Sequence, residues 1–350
     1  MANENASTAS RAVTSYPARR GYKPEPLDPL LDHVVGVEGA IDIHCHAKEG
    51  QPNALSLAKL ASKSGMRGLL FKSIHGPDRT LSAFQVQKDL DIWAEKEGVT
   101  PVTCWSGRHV AQGYTKPIDV AFVRKVLDMG VRGLWMPNVN SAHTLHMVGG
   151  KRINWDKTAP RSEHTEPLPW EEAMKAGQYL LDENGKLKPN IEEIFRIAAD
   201  RGVAIFFGHP SKPEFNAMAE MCIKLNFKRG VVDHPFSPFV NLSIEEMKQA
   251  GSIGLWINFT YDELSPFLGI DPAVMYKAIR TTGPEHCTLS SDAGDPVFPN
   301  SVESLRLLLA AMKAFGCTPE EMKMMTSTNP AFVVGLDLSK DQRSAVRAAE

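Results

Sequence analysis

From residue 41 onward the chain repeats one theme. A short run rich in Val, Ile, Leu or Phe gives way to a polar loop, then to a segment with apolar residues three and four apart that ends near a glycine. The apolar runs read as strands: "AIDIHCH" (40–46), "GLLFKSI" (68–74), "PVTCWSG" (101–107), "RGLWMPN" (132–138), "VAIFFGH" (203–209), "VVDHPF" (231–236), "GLWINFT" (254–260) and "CTLSSDAG" (287–294). Between them "NALSLAKLASKSG", "PIDVAFVRKVLDMG", "NIEEIFRIAADRG" and "DPAVMYKAIRTTG" carry helical periodicity, each with a glycine as its stop signal. Parallel neighbours need a helical crossover, and eight such units close on themselves, so the pattern predicts an α/β fold of the (β/α)8 TIM-barrel type. A doubly wound open sheet is the competing arrangement. It would more naturally show about six strands and a G-x-G-x-x-G first turn, which is absent.

Three stretches fall outside the repeat. Residues 1–35 are small, polar and proline-rich without periodicity, and read as a loose N-terminal arm ahead of a barrel spanning 36–337. Residues 139–188 separate the fourth strand from its helix with Pro, Trp and charge clusters, which predicts a lid insertion over the barrel mouth. The segment from "PEEMKMM" should add a final helix pair before a C-terminal tail at 338–350.

Composition narrows the partners. With 43% hydrophobic and 23% charged residues and a net charge of −2, the chain carries no electrostatic footprint for nucleic acid or a membrane surface, so a small-molecule substrate is expected. The assembly is expected to be a homo-oligomer. No apolar run approaches the roughly 18 residues of a membrane helix. "ARRGYKP" resembles a twin-arginine signal only faintly, because no apolar stretch follows, and a cytoplasmic location is expected. Five scattered cysteines without a CxxC pair indicate neither a disulfide framework nor a thiolate zinc site.

The histidines change the picture. Eight of the eleven fall at the C-terminal ends of predicted strands or just beyond, and in a parallel barrel those ends converge on one face. Residues i and i+2 of a strand point the same way, so His44 and His46 should project together as a chelating pair, opposite to Cys45. Adding His209 from "FFGHP", His234 from "VVDHPF" and Asp292 from "TLSSDAG" gives imidazoles with a carboxylate. That donor set suits a divalent metal, zinc foremost, with Mn, Fe or Co as alternatives.

This order, His44-x-His46 on strand one, single histidines on strands five and six and Asp292 on strand eight, resembles the amidohydrolase superfamily of metal-dependent barrel hydrolases. "TSTNPAFVVGLD" resembles the stretch that follows the last barrel helix there, so the likeness spans residues 40–337. "FKSIH", "WMPN" with His143, and "GHPSKPE" look like an uncharacterised branch. The resemblance implies hydrolysis of an amide, lactam, lactone or related C–N or C–O bond by a metal-activated water, with Asp292 as proton shuttle and His234 as ligand or oxyanion stabiliser. "RGLWMPN" offers no bridging lysine or acid, which leaves one or two ions open. Lys72, inside an apolar strand, must pair, lose its charge or be modified; as a carbamate it would bridge two metals, and otherwise it would act on substrate. His75 competes for a second site and shares the substrate-binding candidacy with His143, His146, Asn258 and Tyr261; Arg108, Lys212 and Glu214 are further rim candidates. Two other classes share the ligand set: a nonhydrolytic metal-dependent decarboxylase or hydratase, and a metal-dependent oxygenase.

Overall fold

The computed structural model describes residues 36–47, 52–74, 82–148, 167–266, 268–294 and 298–340. The arm, residues 149–166 of the insertion, His75, and residues 341–350 of the tail lie outside that set. Eight strands alternate with helices: β1 Ile41–Ala47, α1 Ala54–Lys63, β2 Gly68–Ile74, α2 Ala83–Glu97, β3 Thr103–His109, α3 Val120–Asp128, β4 Gly133–Trp135, α4 Ala142–Val148, α5 Trp170–Ala176 and α6 Pro189–Arg201. The series continues with β5 Ala204–Phe206, α7 Lys212–Lys224, β6 Gly230–Asp233, α8 Ile244–Ser252, β7 Trp256–Thr260, α9 Tyr261–Leu264, α10 Pro272–Thr282, β8 Cys287–Ser290, α11 Ser301–Phe315, α12 Pro319–Lys323 and α13 Asn329–Val334. The strands form one sheet in the order β1 to β8, every neighbouring pair parallel. At the seam the Asp292 N–H donates to the His44 carbonyl at 2.8 Å, so the sheet curls into a (β/α)8 barrel.

Local chemistry sets the boundaries. Helix α6 starts with Pro189 in its first turn, where the missing N–H costs nothing, and stops at Gly202 with φ of 62°, a left-handed position that favours glycine. Helices α2, α10 and α11 are capped by Ser82, Asp271 and Asn300, whose side-chain oxygens accept first-turn N–H groups.

The barrel has two side-chain layers. Outward-facing Leu69, Phe71, Leu134, Ile205, Phe207, Val232, Ile257 and Leu289 join the helices in one large apolar core. Inward-facing Ile41, Ile43, Leu70, Trp135, Ala204, Phe206 and Val231 form a second, smaller core. The Trp135 and Phe206 rings stack with centroids 3.9 Å apart. Gly107 makes room for them, since a Cβ there would lie 2.3 Å from the Trp135 ring. Helix α13 seals the N-terminal end of the barrel with Ala331, Val333 and Val334, which belong to the same inner core. Arg229, just before β6, donates from Nε to the Phe332 carbonyl and pins this plug.

Candidate metal centre

Above the apolar floor the inner lining turns polar, and the change begins in β1. Ile41 and Ile43 both face the inner core, so strict alternation would send His44 outward. The ladder with β2 slips between Asp42 and Cys45, and again before His46. Through this bulge Ile43 and His44 both turn inward, Cys45 turns to the outer core, and His46 returns to the interior. Asp42 sustains the bulge: its Oδ1 accepts the His44 N–H at 3.0 Å and the Ser291 N–H of the adjoining strand end at 3.3 Å.

The two imidazoles then meet Asp292 across the seam. Its Oδ1 lies 3.1 Å from His44 Nε2 and 2.9 Å from His46 Nε2. These three ligand atoms all fall within 4.8 Å of one another. Ligand atoms around a tetrahedral ion with bonds of about 2.0 Å stand roughly 3.3 Å apart, so modest adjustment turns the trio into three corners of such a site. His44 is wholly buried, whereas 13% of the Asp292 side chain is exposed, so solvent reaches the trio from the Asp292 side. His234 and Asp292 have φ values of 35° and 43°. Left-handed backbone at non-glycine residues costs of order 1–3 kcal/mol each; of the four such residues described, these two sit at the cluster, and the other two are Asn226 and Asn241, a residue type that adopts it more readily.

A second carboxylate stands behind His44. Its Nδ1 lies 3.1 Å from Asp233 Oδ1, a close electrostatic contact without the alignment of a good hydrogen bond. Asp233 Oδ1 also accepts from Asn258 Nδ2 at 2.8 Å, and its Oδ2 from Trp135 Nε1 at 2.8 Å. The Asn258 oxygen accepts from the Thr288 and Ser290 hydroxyls, each at 2.8 Å. A carboxylate that faces one ring nitrogen leaves the other to bind an ion, the arrangement common behind metal-bound histidines.

Lys72, only 7% exposed, reaches the same point from β2, with Nζ 2.8 Å from His44 Nε2. With the Asn138 amide turned so that its nitrogen donates to the Met136 carbonyl, its oxygen accepts from Lys72 Nζ at 2.9 Å. A hydrogen bond between Lys72 and His44 needs one lone pair, so these two facing nitrogens share a single positive charge. Burial by itself would lower the His44 pKa, but Asp233 and Asp292 outweigh it and hold the group at about 9. Burial by itself would raise Asp233, yet His44, His234 and Lys72 bring it down to about 2. Asp292 follows the same pattern and lies well below the ordinary carboxylate range, held there by His44, His46 and Lys72. Two ionised carboxylates, Asp233 and Asp292, flank His44, and their negative charge favours a divalent cation. Burial lowers His234 to about 4, so that imidazole is neutral at physiological pH.

The remaining candidates divide. His209 ends the fifth strand region, stacked on Phe239 with ring centroids 4.5 Å apart and 5.1 Å from the His234 ring, with its Nδ1 3.0 Å from Thr144 Oγ1. His234 Nε2 lies 3.9 Å from Asp292 Oδ2. His143 and His146 sit on α4, the first helix of the insertion; burial lowers the His143 pKa, and His146 Nδ1 bonds the Leu168 carbonyl at 2.8 Å. Tyr261 opens α9 and packs edge-on against Phe298. Asn258, expected at the rim, is instead fully buried beneath the cluster, because its β7 position faces the barrel interior one layer below the mouth. Arg108 pairs in register with outward-facing Leu134 and is exposed on the helix side. Glu214 is buried as the capping box of α7, where it also accepts the Leu180 N–H. Sequence reasoning passed over Asp42 and Asp233, although each is an acid inside an apolar strand, a placement that demands a partner.

A family model described as a family of unknown function, DUF6282, matches residues 39–258. No curated protein matches the chain. Among solved structures, the probable dipeptidase PvdM from Pseudomonas aeruginosa is 15% identical, with a TM-score of 0.53 over 93% of this chain and 98% of that one. An amidohydrolase from the same organism is 14% identical with a TM-score of 0.52, covering 88% and 98%. A metallo peptidase from Rhodobacter sphaeroides, solved with a phosphinate mimic of the dipeptide L-Ala-D-Ala, is 14% identical with a TM-score of 0.50, covering 85% and 99%. At such identities these likenesses establish the barrel fold. No helix among the described residues is long and apolar enough to cross a membrane. The family-model match covers more than half of the sequence, and the chain belongs to the DUF6282 family.

Proposed function

We propose that this chain is a metal-dependent hydrolase that cleaves an amide, lactam, lactone or related C–N or C–O bond of a small molecule. The convergence of His44 Nε2, His46 Nε2 and Asp292 Oδ1 at the mouth of the barrel carries the reading. Similarity of fold to an amidohydrolase, a probable dipeptidase and a metallo peptidase is consistent with it. His44, His46 and Asp292, with His209 at the adjoining rim, are the residues that would hold a divalent ion, zinc foremost. Such an ion supplies Lewis acidity and an acidified water.

The chain's own groups account for the rest. Asp292 turns Oδ1 to the histidines and Oδ2 toward His234, so Oδ2 is the oxygen left to take a proton from an attacking water and return it to the leaving group. His234, neutral and strained, faces the same space and can stabilise charge that develops on a carbonyl oxygen. Lys72 contacts the same His44 Nε2 and would add a second ion position only as a carbamate; as an amine it would hold an anionic substrate group.

Elemental analysis of the purified protein and of a His44→Ala/His46→Ala variant, with an assay panel of amides, lactams and lactones alongside a CO2-release assay, tests this. The variant should remain folded while losing bound metal and turnover. Asp292→Asn should retain much of the metal and lose several orders of magnitude in turnover. Full metal content in the double variant overturns the site, and CO2 release without bond hydrolysis transfers the same residues to a decarboxylase.

A further inference from the structure

The insertion after β4 is tied to the cluster through one hydroxyl. Thr144, buried on α4, has its Oγ1 2.8 Å from the Asn138 carbonyl, 2.9 Å from Ser141 Oγ and 3.0 Å from His209 Nδ1. A hydroxyl has one proton and two lone pairs. The Asn138 carbonyl can only accept, so it takes the Thr144 proton. Ser141 Oγ already accepts the Thr144 N–H at 3.0 Å and donates its own proton to Thr144 Oγ1. The lone pair left on Thr144 must then accept from His209, which places a proton on Nδ1. The other nitrogen, Nε2, lies 3.4 Å from the Asn138 side chain, whose turned amide presents there the oxygen that accepts from Lys72 Nζ at 2.9 Å; that contact is longer and weaker than the 3.0 Å one between Nδ1 and Thr144. The stacked Phe239 ring, tilted by only 5° from the His209 plane, fixes the plane of the imidazole while Thr144 fixes its edge.

We infer that Thr144 is a positioning residue that locks His209 in the Nδ1–H tautomer, so that Nε2 offers a lone pair to an ion at the cluster. The second half of this inference rests on the metal-site reading above; the first half stands without it. Because Thr144 belongs to α4, the same contact makes the start of the insertion part of the metal centre's support. It follows that displacing α4 would release His209.

The test is a 15N-histidine NMR spectrum of the metal-free protein, with His209 assigned through a His209→Gln variant. Wild type should show His209 as the Nδ1–H tautomer. Thr144→Val, which keeps the shape and deletes the hydroxyl, should show the Nε2–H form or a mixture, and Thr144→Ser should restore the wild-type pattern. Titration of each variant with Zn2+ against a chelating indicator should show affinity lowered about 10- to 100-fold in Thr144→Val and restored in Thr144→Ser. An Nε2–H His209 in the wild type overturns the inference without needing any variant to fold. An unchanged tautomer in folded Thr144→Val overturns it equally. A tautomer that follows the hydroxyl while Zn2+ affinity stays constant would retain Thr144 as the lock and remove His209 from the ligand set.

Discussion

The two halves of the barrel interior are built from the same strands to opposite rules. Below Trp135 the lining is Ile41, Leu70, Ala204 and Val231, closed by α13, and its organisation is close packing. Above it stand His44, Lys72, Asp233, Asn258, Thr288 and Ser290, joined by directional contacts. Trp135 belongs to both, its ring stacked on Phe206 and its Nε1–H given to Asp233. The floor tolerates small changes of shape, whereas the upper layer tolerates few changes of donor or acceptor, because each buried polar group depends on the next.

Trp135→Ala strikes both halves at once and should have the largest effect. It should cost about 3–5 kcal/mol of stability from the cavity alone, read in urea unfolding, and more because it leaves Asp233 short of a donor. If the loss fell below about 1 kcal/mol, the division of the interior at Trp135 would be wrong. Asp233→Asn keeps the shape and removes the charge behind His44. Divalent-metal affinity should drop about 10- to 100-fold, measured by chelator competition, with a smaller change in unfolding. Equal affinity in this variant would show that His44 needs no charged support.

Acidity sharpens the contrast further. A His44 pKa near 9 means that the metal-free cluster holds a proton at neutral pH which an ion must displace. Affinity should therefore rise as pH increases toward 9, by up to about tenfold per unit, and binding at pH 7 should release at least one proton, visible in calorimetry across buffers of different ionisation enthalpy. A pH-independent affinity between 6 and 8 would contradict the shared charge between Lys72 and His44. The smallest effect belongs to the floor: Ile41→Val should cost about 0.5–1.5 kcal/mol and leave metal affinity unchanged.

Much of this was legible in the sequence for physical reasons. Alternation of period two with period 3.6, ended by glycines, marks strands and helices locally, and all eight strand segments overlap the observed β1 to β8. The gathering of His44, His46 and Asp292 followed from topology, since parallel strands end on one face. What could not be read was the bulge. The i, i+2 rule correctly grouped His44 with His46, but it is silent about which face that is when Ile41 and Ile43 also point inward. The decision lies with Asp42, which accepts N–H groups from two strands, a long-range contact invisible to local pattern. Asn258 was misplaced for a related reason: a strand-end position does not tell whether a side chain stands in the mouth or one layer below it.

The plug at the floor also orders events in time. Ala331, Val333 and Val334 complete a core whose other members begin at Ile41, so nearly three hundred residues must be made before the inner core is whole. A nascent chain that has finished β8 still exposes the bases of Ile41, Leu70 and Val231, and it relies on a segment yet to be synthesised to cover them. Closure of the inner core is thereby deferred until Val334 has been made, and a premature stop just ahead of Asn329 would release every strand and every candidate ligand in a chain whose inner core has no base.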